Sequence, residues 1–89
     1  MSAELARLRA EIERIDRALV GLIRERVTAA RGTAAAKRAA GLPTLDPPHE
    51  ATVIRRAAAL AREAGLPAEE VRDVFWKLVA LTRRAELDW

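Results

Sequence analysis

Two positively charged side chains lie where the first helical segment should be apolar. Arg26 takes the next position of a heptad pattern that is aliphatic up to Leu22, and Lys37 follows eleven residues later. At about 100° per residue, Lys37 falls within about 20° of Arg26 around a helix. Two cations that point the same way from an aliphatic face predict an anion site. The alternative is that both side chains reach into water or pair with acids of a second chain.

A third cation, Arg9, lies seventeen residues before Arg26 and so about 100° away around the same helix. One straight helix cannot direct both side chains at a single ligand. In an intertwined dimer, however, Arg9 of one chain could reach a site built by the other chain.

Polar side chains also interrupt the apolar pattern of the third segment. Phe75 and Leu78 belong to a stripe whose next positions are Thr82 and Glu86. The commoner explanation for Glu86 is an exposed carboxylate near a helix end. The more specific explanation is a side chain that lines a polar cavity. In the second segment Glu50 lies in the first helical turn, where the helix dipole alone favours an acid. Its neighbour, a lone histidine, is typical of a surface position.

The first third of the chain positions these cations and contains the strongest periodic signal. Six apolar residues with a 3-4-3-4-3 spacing predict a helix with one apolar seam, formed by Leu5, Leu8, Ile12, Ile15, Leu19 and Leu22. Ser2 suits the N-cap, no proline occurs before Pro43, and Gly41 suits a helix end. We predict a helix over residues 3–40, roughly 57 Å long.

A helix of that length is too long for a globule of this size. A compact chain of 89 residues has a radius of gyration of roughly 12 Å. The helix must therefore extend beyond its own core and leave its seam uncovered. Because a second copy is the simplest cover, we predict an intertwined homodimer with shared sites.

The rest of the chain predicts two shorter helices, over residues 47–64 and 67–87. Asp46 suits the N-cap of the first, and Gly65 suits its end. There are no strand signals or internal repeats. We predict an all-α fold of three helices, one very long and two shorter, in a single domain over residues 1–89.

The composition excludes several classes of site. With no cysteine and one histidine, the chain has no disulfide, thiolate metal site, cysteine nucleophile or multi-histidine metal cluster. The N-terminus lacks the basic and apolar regions of a signal peptide, and no segment approaches about eighteen apolar residues. We expect a soluble, cytoplasmic protein that does not enter a membrane.

The net charge of +3 raises the alternative of nucleic-acid binding. Fourteen of the sixteen basic residues are arginine, and acids are interspersed among them, which is typical of a solvated helix face with local ion pairs. The only aromatic residues are Phe75, Trp76 and Trp89, which form no platform for stacked bases. We expect no nucleic-acid partner, since a binder of that kind would need a phosphate-tracking stripe.

Several short motifs occur in a fixed order along the chain. They are Leu8-Arg9-x-x-Ile12-x-x-Ile15-Asp16-x-x-Leu19-x-x-Leu22, Arg26, Lys37-x-x-x-Gly41-x-Pro43, Asp46-x-x-His49-Glu50, and Phe75 followed by Thr82-x-x-x-Glu86. Each is weak alone, but the ordered set resembles the all-helical, type II family of chorismate mutases over nearly the whole chain. The resemblance implies rearrangement of chorismate to prephenate, in phenylalanine and tyrosine biosynthesis, by an intramolecular Claisen reaction without a cofactor, metal or protein nucleophile.

The resemblance also implies roles for individual residues. Arg26, together with Arg9 from the partner chain, is expected to hold the two carboxylates of the substrate. Lys37 is expected near the ether oxygen and one carboxylate. Glu50 and the backbone of Asp46 are expected to hold the substrate hydroxyl.

Three further positions complete the expected site. Thr82 matches a position that is often serine in the family and is expected to bond a carboxylate. Glu86 replaces a glutamine common in bacterial members, and an ionised glutamate cannot donate to the ether oxygen. We therefore expect Glu86 to work protonated, with activity that rises as the pH falls below neutral. His49 replaces an arginine, which removes one fixed positive charge near the substrate.

Other functions remain open at this stage. An isochorismate-pyruvate lyase or an aminodeoxychorismate mutase would bind a closely related dianion with the same cations. A non-enzymatic helical module for dimerisation or regulation would explain the apolar seam, although not the spacing of the polar residues.

Overall fold

A computed structural model of the chain describes residues 2–87. It contains three helices, α1 (Ala3–Ala39), α2 (Pro47–Glu63) and α3 (Ala68–Glu86), and no strand among the described residues. The predicted all-α fold with one very long helix is confirmed. Each observed helix bound lies within one residue of the ranges 3–40, 47–64 and 67–87. Met1, Asp88 and Trp89, at the ends of the predicted domain, lie outside the described residues.

The first half of α1 projects from the rest of the chain. Ser2 caps the helix, because its Oγ accepts a hydrogen bond of 3.0 Å from the backbone N–H of Leu5. Residues 2–22 are all exposed, and the six residues of the α1 seam are between 38% and 59% exposed. The radius of gyration is 16.6 Å and the longest extent is 59 Å, against roughly 12 Å for the radius of a compact chain of this length. The seam is thus uncovered within the protomer, and the homodimer remains a prediction.

The polar side of this projecting half carries short-range ion pairs, as the charge pattern predicted. They are Glu4–Arg7, Glu11–Arg14 and Glu13–Arg17, with N–O distances of 2.7, 2.6 and 2.9 Å. All six side chains are at least 48% exposed, so these pairs add little to stability. No helix between residues 2 and 87 has the length and apolar character needed to cross a membrane.

The helix ends follow from a few residues of defined conformation. Gly41 after α1 and Gly65 after α2 adopt φ values of 72° and 73°. After each glycine, the next backbone N–H donates at 2.8 Å to the carbonyl five residues earlier, which is the Schellman arrangement. Asp46 begins α2, since its side chain accepts from the N–H of His49 at 3.1 Å. The predicted helix ends and caps at these three positions are confirmed.

The third helix holds the other two together. Val53 and Ile54 of α2 pack against Val79 of α3, and Phe75 packs on this cluster. α1 and α2 each pack against α3, whereas the described residues of α1 and α2 do not pack against each other. A gap therefore remains between the second half of α1 and α2, with α3 along one side of it.

Candidate active site

The gap between the helices forms a cavity of about 290 Å³, near the lower end of the size of small-molecule sites. It is lined by Arg26, Ala29, Ala30, Thr33 and Lys37 of α1, His49, Glu50, Val53 and Arg56 of α2, and Val79, Thr82 and Glu86 of α3. Six of the eight residues predicted from the sequence are therefore brought together: Arg26, Lys37, His49, Glu50, Thr82 and Glu86.

The wall supplied by α1 continues the direction of the apolar seam. Arg26, Thr33 and Lys37 are spaced by seven and four residues, which keeps all three within about 40° around the helix axis. Ala29 and Ala30 lie between them and leave room in front of the longer side chains. Because α1 is one uninterrupted helix, the same face serves as apolar seam in its first half and polar cavity wall in its second half.

Arg26 is held in place by α3. Its Nη1 donates to Thr82 Oγ1 at 2.5 Å, and the Thr82 hydroxyl donates to the carbonyl of Leu78 at 3.0 Å. Thr82 itself is only 4% exposed, so the two bonds meet at a buried hydroxyl. A guanidinium has five N–H donors, and one bond to Thr82 leaves others for a ligand. The Thr82 hydroxyl can donate to a carboxylate of a ligand only if it gives up its hydrogen bond to the Leu78 carbonyl. This exchange costs little free energy, because that carbonyl lies within a helix.

The surroundings of Arg26 favour an anion. Burial lowers the pKa of Arg26, repulsion from the guanidinium of Arg56 lowers it further, and attraction to Glu86 opposes both effects. An arginine nevertheless stays charged at physiological pH, because its ordinary pKa lies far above neutral. Two guanidinium groups that face one cavity and repel each other are stabilised by an anion placed between them.

Lys37 connects the end of α1 to the following loop. Its Nζ donates to the backbone carbonyl of Thr44 at 3.0 Å, and its side chain is half-buried. An ammonium has three donors, so this bond fixes the side chain and leaves others for the cavity. Lys37 is therefore both a loop anchor and a cation of the site.

Glu50 is the most firmly held acid of the cavity. Arg83 of α3 donates to both of its oxygens, from Nε to Oε2 at 3.0 Å and from Nη2 to Oε1 at 2.5 Å. These hydrogen bonds, and the attraction of the same carboxylate, raise the pKa of Arg83. The pair joins the first turn of α2 to the last turns of α3, so Glu50 does more here than complement the helix dipole.

Cations exceed acids along the cavity wall. Arg26, Lys37 and Arg56 line it together with two acids, Glu50 and Glu86, of which Glu50 is already paired by Arg83. Among residues 2–87, no group of three His, Cys, Asp or Glu side chains is arranged to hold a metal ion. The excess of cations around the cavity suits a negatively charged ligand.

The size and charge of the cavity, and the three helices that frame it, agree with a comparison of the chain with known protein families. The family model of chorismate mutase type II matches residues 8–87 of the chain. The chain belongs to this family. The match covers α2, α3 and all but the first five residues of α1, so every residue of the cavity lies within it.

Two predicted site residues of this family member do not line the cavity of the protomer. Arg9 is exposed on the projecting half of α1, about 25 Å along the helix from Arg26. Asp46 lies at the start of α2, where its side chain caps the helix and its carbonyl accepts from the N–H of Glu50 at 3.1 Å. Arg9 can serve such a site only in another chain, and the expected role of Asp46 remains a prediction.

Two residues of this family member were missed by the sequence reasoning. Arg56 lies seven residues after His49 and three after Val53, a spacing that could have placed it on the cavity face of α2. Arg83 could not have been found in this way, because its partner Glu50 lies 33 residues earlier on another helix. Only the packing of α2 on α3 brings these two side chains together.

Proposed function

We propose that this chorismate mutase family member converts chorismate to prephenate, in two sites shared between the chains of a homodimer. The observation that carries the proposal is the set of three cations around one cavity, Arg26 and Lys37 from α1 and Arg56 from α2, with Arg26 and Arg56 repelling each other. Such a cavity is suited to an anion, and membership of the family favours a chorismate-like dicarboxylate. The proposed pathway is the biosynthesis of phenylalanine and tyrosine.

The reaction requires positioning and electrostatic stabilisation. Within one molecule, the ether C–O bond breaks while a C–C bond forms, so no proton or group passes to the protein. The site has to hold the flexible dianion with its two reacting carbons close together and to stabilise the negative charge that develops on the ether oxygen. In our proposal Arg26 holds one carboxylate and Lys37 interacts with the ether oxygen and a carboxylate. Both side chains are already fixed, by Thr82 and by the Thr44 carbonyl.

The second carboxylate is proposed to bind Arg9 of the partner chain. Two features support a shared site. The α1 seam is uncovered along the whole projecting half of the helix, and Arg9 lies on that half, out of reach of its own cavity. An antiparallel second copy would bury the seam and bring its Arg9 toward this cavity.

The remaining polar groups of the wall are proposed to complete the site. Glu50 accepts the substrate hydroxyl, with the backbone of Asp46 beside it, and His49 lies near the same end of the substrate. Glu86 faces the ether oxygen. Thr82 positions Arg26 and bonds the nearby carboxylate.

Purified protein incubated separately with chorismate, isochorismate and aminodeoxychorismate tests the proposal. We expect prephenate from chorismate; release of pyruvate from isochorismate, or turnover of the amino compound alone, would assign one of the alternative reactions. Arg26→Ala and Lys37→Ala are expected to lower kcat/KM by at least about a hundredfold. Arg24→Ala is the matched control, because Arg24 is exposed and lies about 160° around α1 from Arg26.

A non-enzymatic module predicts a different result. It would turn over none of the three compounds, and Arg26→Ala would leave its self-association unchanged.

A further inference from the structure

The carboxylate of Glu50 is held from behind, on the side away from the cavity. Glu50 lines the cavity with a side chain that is 19% exposed, whereas Arg83 reaches it from α3 with a side chain that is 40% exposed. The two planar groups meet through two parallel hydrogen bonds, from Nε and Nη2 of Arg83 to the two oxygens of Glu50. Such a fork fixes the orientation of the carboxylate plane as well as its position.

Arg83 does not itself face the cavity. It lines a separate cleft of only about 10 Å³, bordered also by Thr44, Leu45, Glu86 and Leu87, and the two acids Glu50 and Glu86 line both this cleft and the cavity. A volume that small holds at most about one water molecule. Arg83 therefore borders the cavity through these two acids: it donates hydrogen bonds to Glu50 and attracts the charge of Glu86.

The pairing leaves part of Glu50 available to a ligand. A carboxylate has about four acceptor positions on its two oxygens. The two N–H groups of Arg83 occupy one position on each oxygen. The remaining positions are fixed in direction by the fork, and the residue lines the cavity.

We propose that Arg83 is the positioning residue of this site, which orients the Glu50 carboxylate to accept the substrate hydroxyl and offsets its charge. The inference rests on the proposed function and assigns a role to a residue outside the cavity wall. Without a cation behind it, the negative charge of Glu50 would repel a dicarboxylate in the same cavity. Arginine supplies that cation at every physiological pH.

The experiment measures kcat and KM for chorismate in the wild type and in Arg83→Met, Arg83→Lys, Glu50→Gln and the double variant Arg83→Met/Glu50→Gln. Arg72→Met is the matched control. Arg72 also lies on α3, is 41% exposed, and pairs at 3.0 Å with an acid, Glu69, that is not part of the cavity wall. Circular dichroism of each variant reports whether the helices are retained.

We expect Arg83→Met to raise KM by about ten- to a hundredfold, in line with the loss of an oriented, charge-assisted hydrogen bond. Because Glu50 holds the hydroxyl equally in the ground and transition states, kcat should change by less than about threefold. Arg83→Lys should restore part of the loss, since it keeps the charge without the fork. Arg83→Met should add no further loss to Glu50→Gln, and Arg72→Met should behave like the wild type.

The outcomes separate this inference from the proposed function. An active wild type whose KM is unchanged in a folded Arg83→Met variant would overturn the positioning role and leave the mutase proposal intact, even if the variant melted at a lower temperature. A further loss in the Glu50→Gln background would also overturn it, because Arg83 would then act by another route. A folded, dimeric wild type that does not convert chorismate would overturn both.

Discussion

A mixture of two inactive variants should recover activity if the sites are shared between chains. Arg9 and Arg26 lie about 25 Å apart along one rigid helix, so a single chain cannot direct both at one ligand. In a heterodimer of an Arg9→Ala chain and an Arg26→Ala chain, one site carries both substitutions and the other carries neither. The second site is that of the wild type.

The expected recovery follows from counting. Random reassortment of equal amounts of the two variants places half of the dimers in the mixed form, and each mixed dimer has one intact site of two. The specific activity should therefore rise from the low level of either variant to about one quarter of the wild-type value. The two proteins are unfolded together in denaturant, refolded by dilution and assayed for loss of chorismate, beside samples refolded separately.

A matched control isolates the shared site. Arg9→Ala refolded with the double variant Arg9→Ala/Arg26→Ala forms mixed dimers in the same proportion, but none has an intact site, so its activity should stay low. Mass spectrometry of affinity-tagged chains shows whether mixed dimers form. If they form and the activity of the Arg9→Ala and Arg26→Ala mixture still does not rise, the assignment of Arg9 to the partner's site is wrong. Recovery in the control would be equally damaging, because no chain in that sample carries Arg9 and Arg9 would then be dispensable.

Three further changes test the interface, the chemistry and a turn. Ile12→Glu should raise the dimer Kd, measured by sedimentation, by at least about 30-fold. Ile12 is 57% exposed in the protomer, and the substitution removes apolar burial from both copies of the dimer. Ala10→Glu, on the opposite face of α1, should leave the Kd unchanged. Glu86→Gln should raise kcat/KM for chorismate at neutral pH, because an amide can donate to the ether oxygen and an ionised carboxylate cannot; an unchanged or lower value counts against the role. Gly41→Ala should lower the free energy of unfolding in urea titrations by about 1–2 kcal/mol, because the φ of Gly41 is 72°. Gly32→Ala should raise it by about 1 kcal/mol, because Gly32 lies within α1 and an added Cβ would meet nothing within 4 Å. Equal effects of the two substitutions would refute the reasoning.

Features governed by one helix could be predicted from the sequence. The spacing of Arg26 and Lys37 determines their common direction wherever α1 is straight, and both line the cavity. The projection of α1 could be predicted because the helix is longer than a compact chain of this many residues is wide. Gly41 and Asp46 marked helix ends because local backbone conformation and capping need no tertiary partner.

Features that depend on the packing of helices could not be predicted in this way. The bond from Arg26 to Thr82 joins residues 56 positions apart, and the pair of Glu50 and Arg83 joins residues 33 apart. Neither follows from periodicity, because the angle between α1 and α3 or α2 and α3 decides which side chains meet. The helix dipole at the start of α2 already explained an acid at position 50. The sequence therefore gave no reason to expect the more specific ion pair between Glu50 and Arg83.

The continuity of α1 also constrains how the gene for this protein can change. The same helix face runs from the exposed seam to the cations of the cavity, so the number of residues between Leu22 and Arg26 sets their relative angle. Deletion of one residue there would turn the cations by about 100° and shift them by about 1.5 Å, whereas a substitution would leave both angle and distance unchanged. This stretch should therefore accept changes of residue far more readily than changes of length.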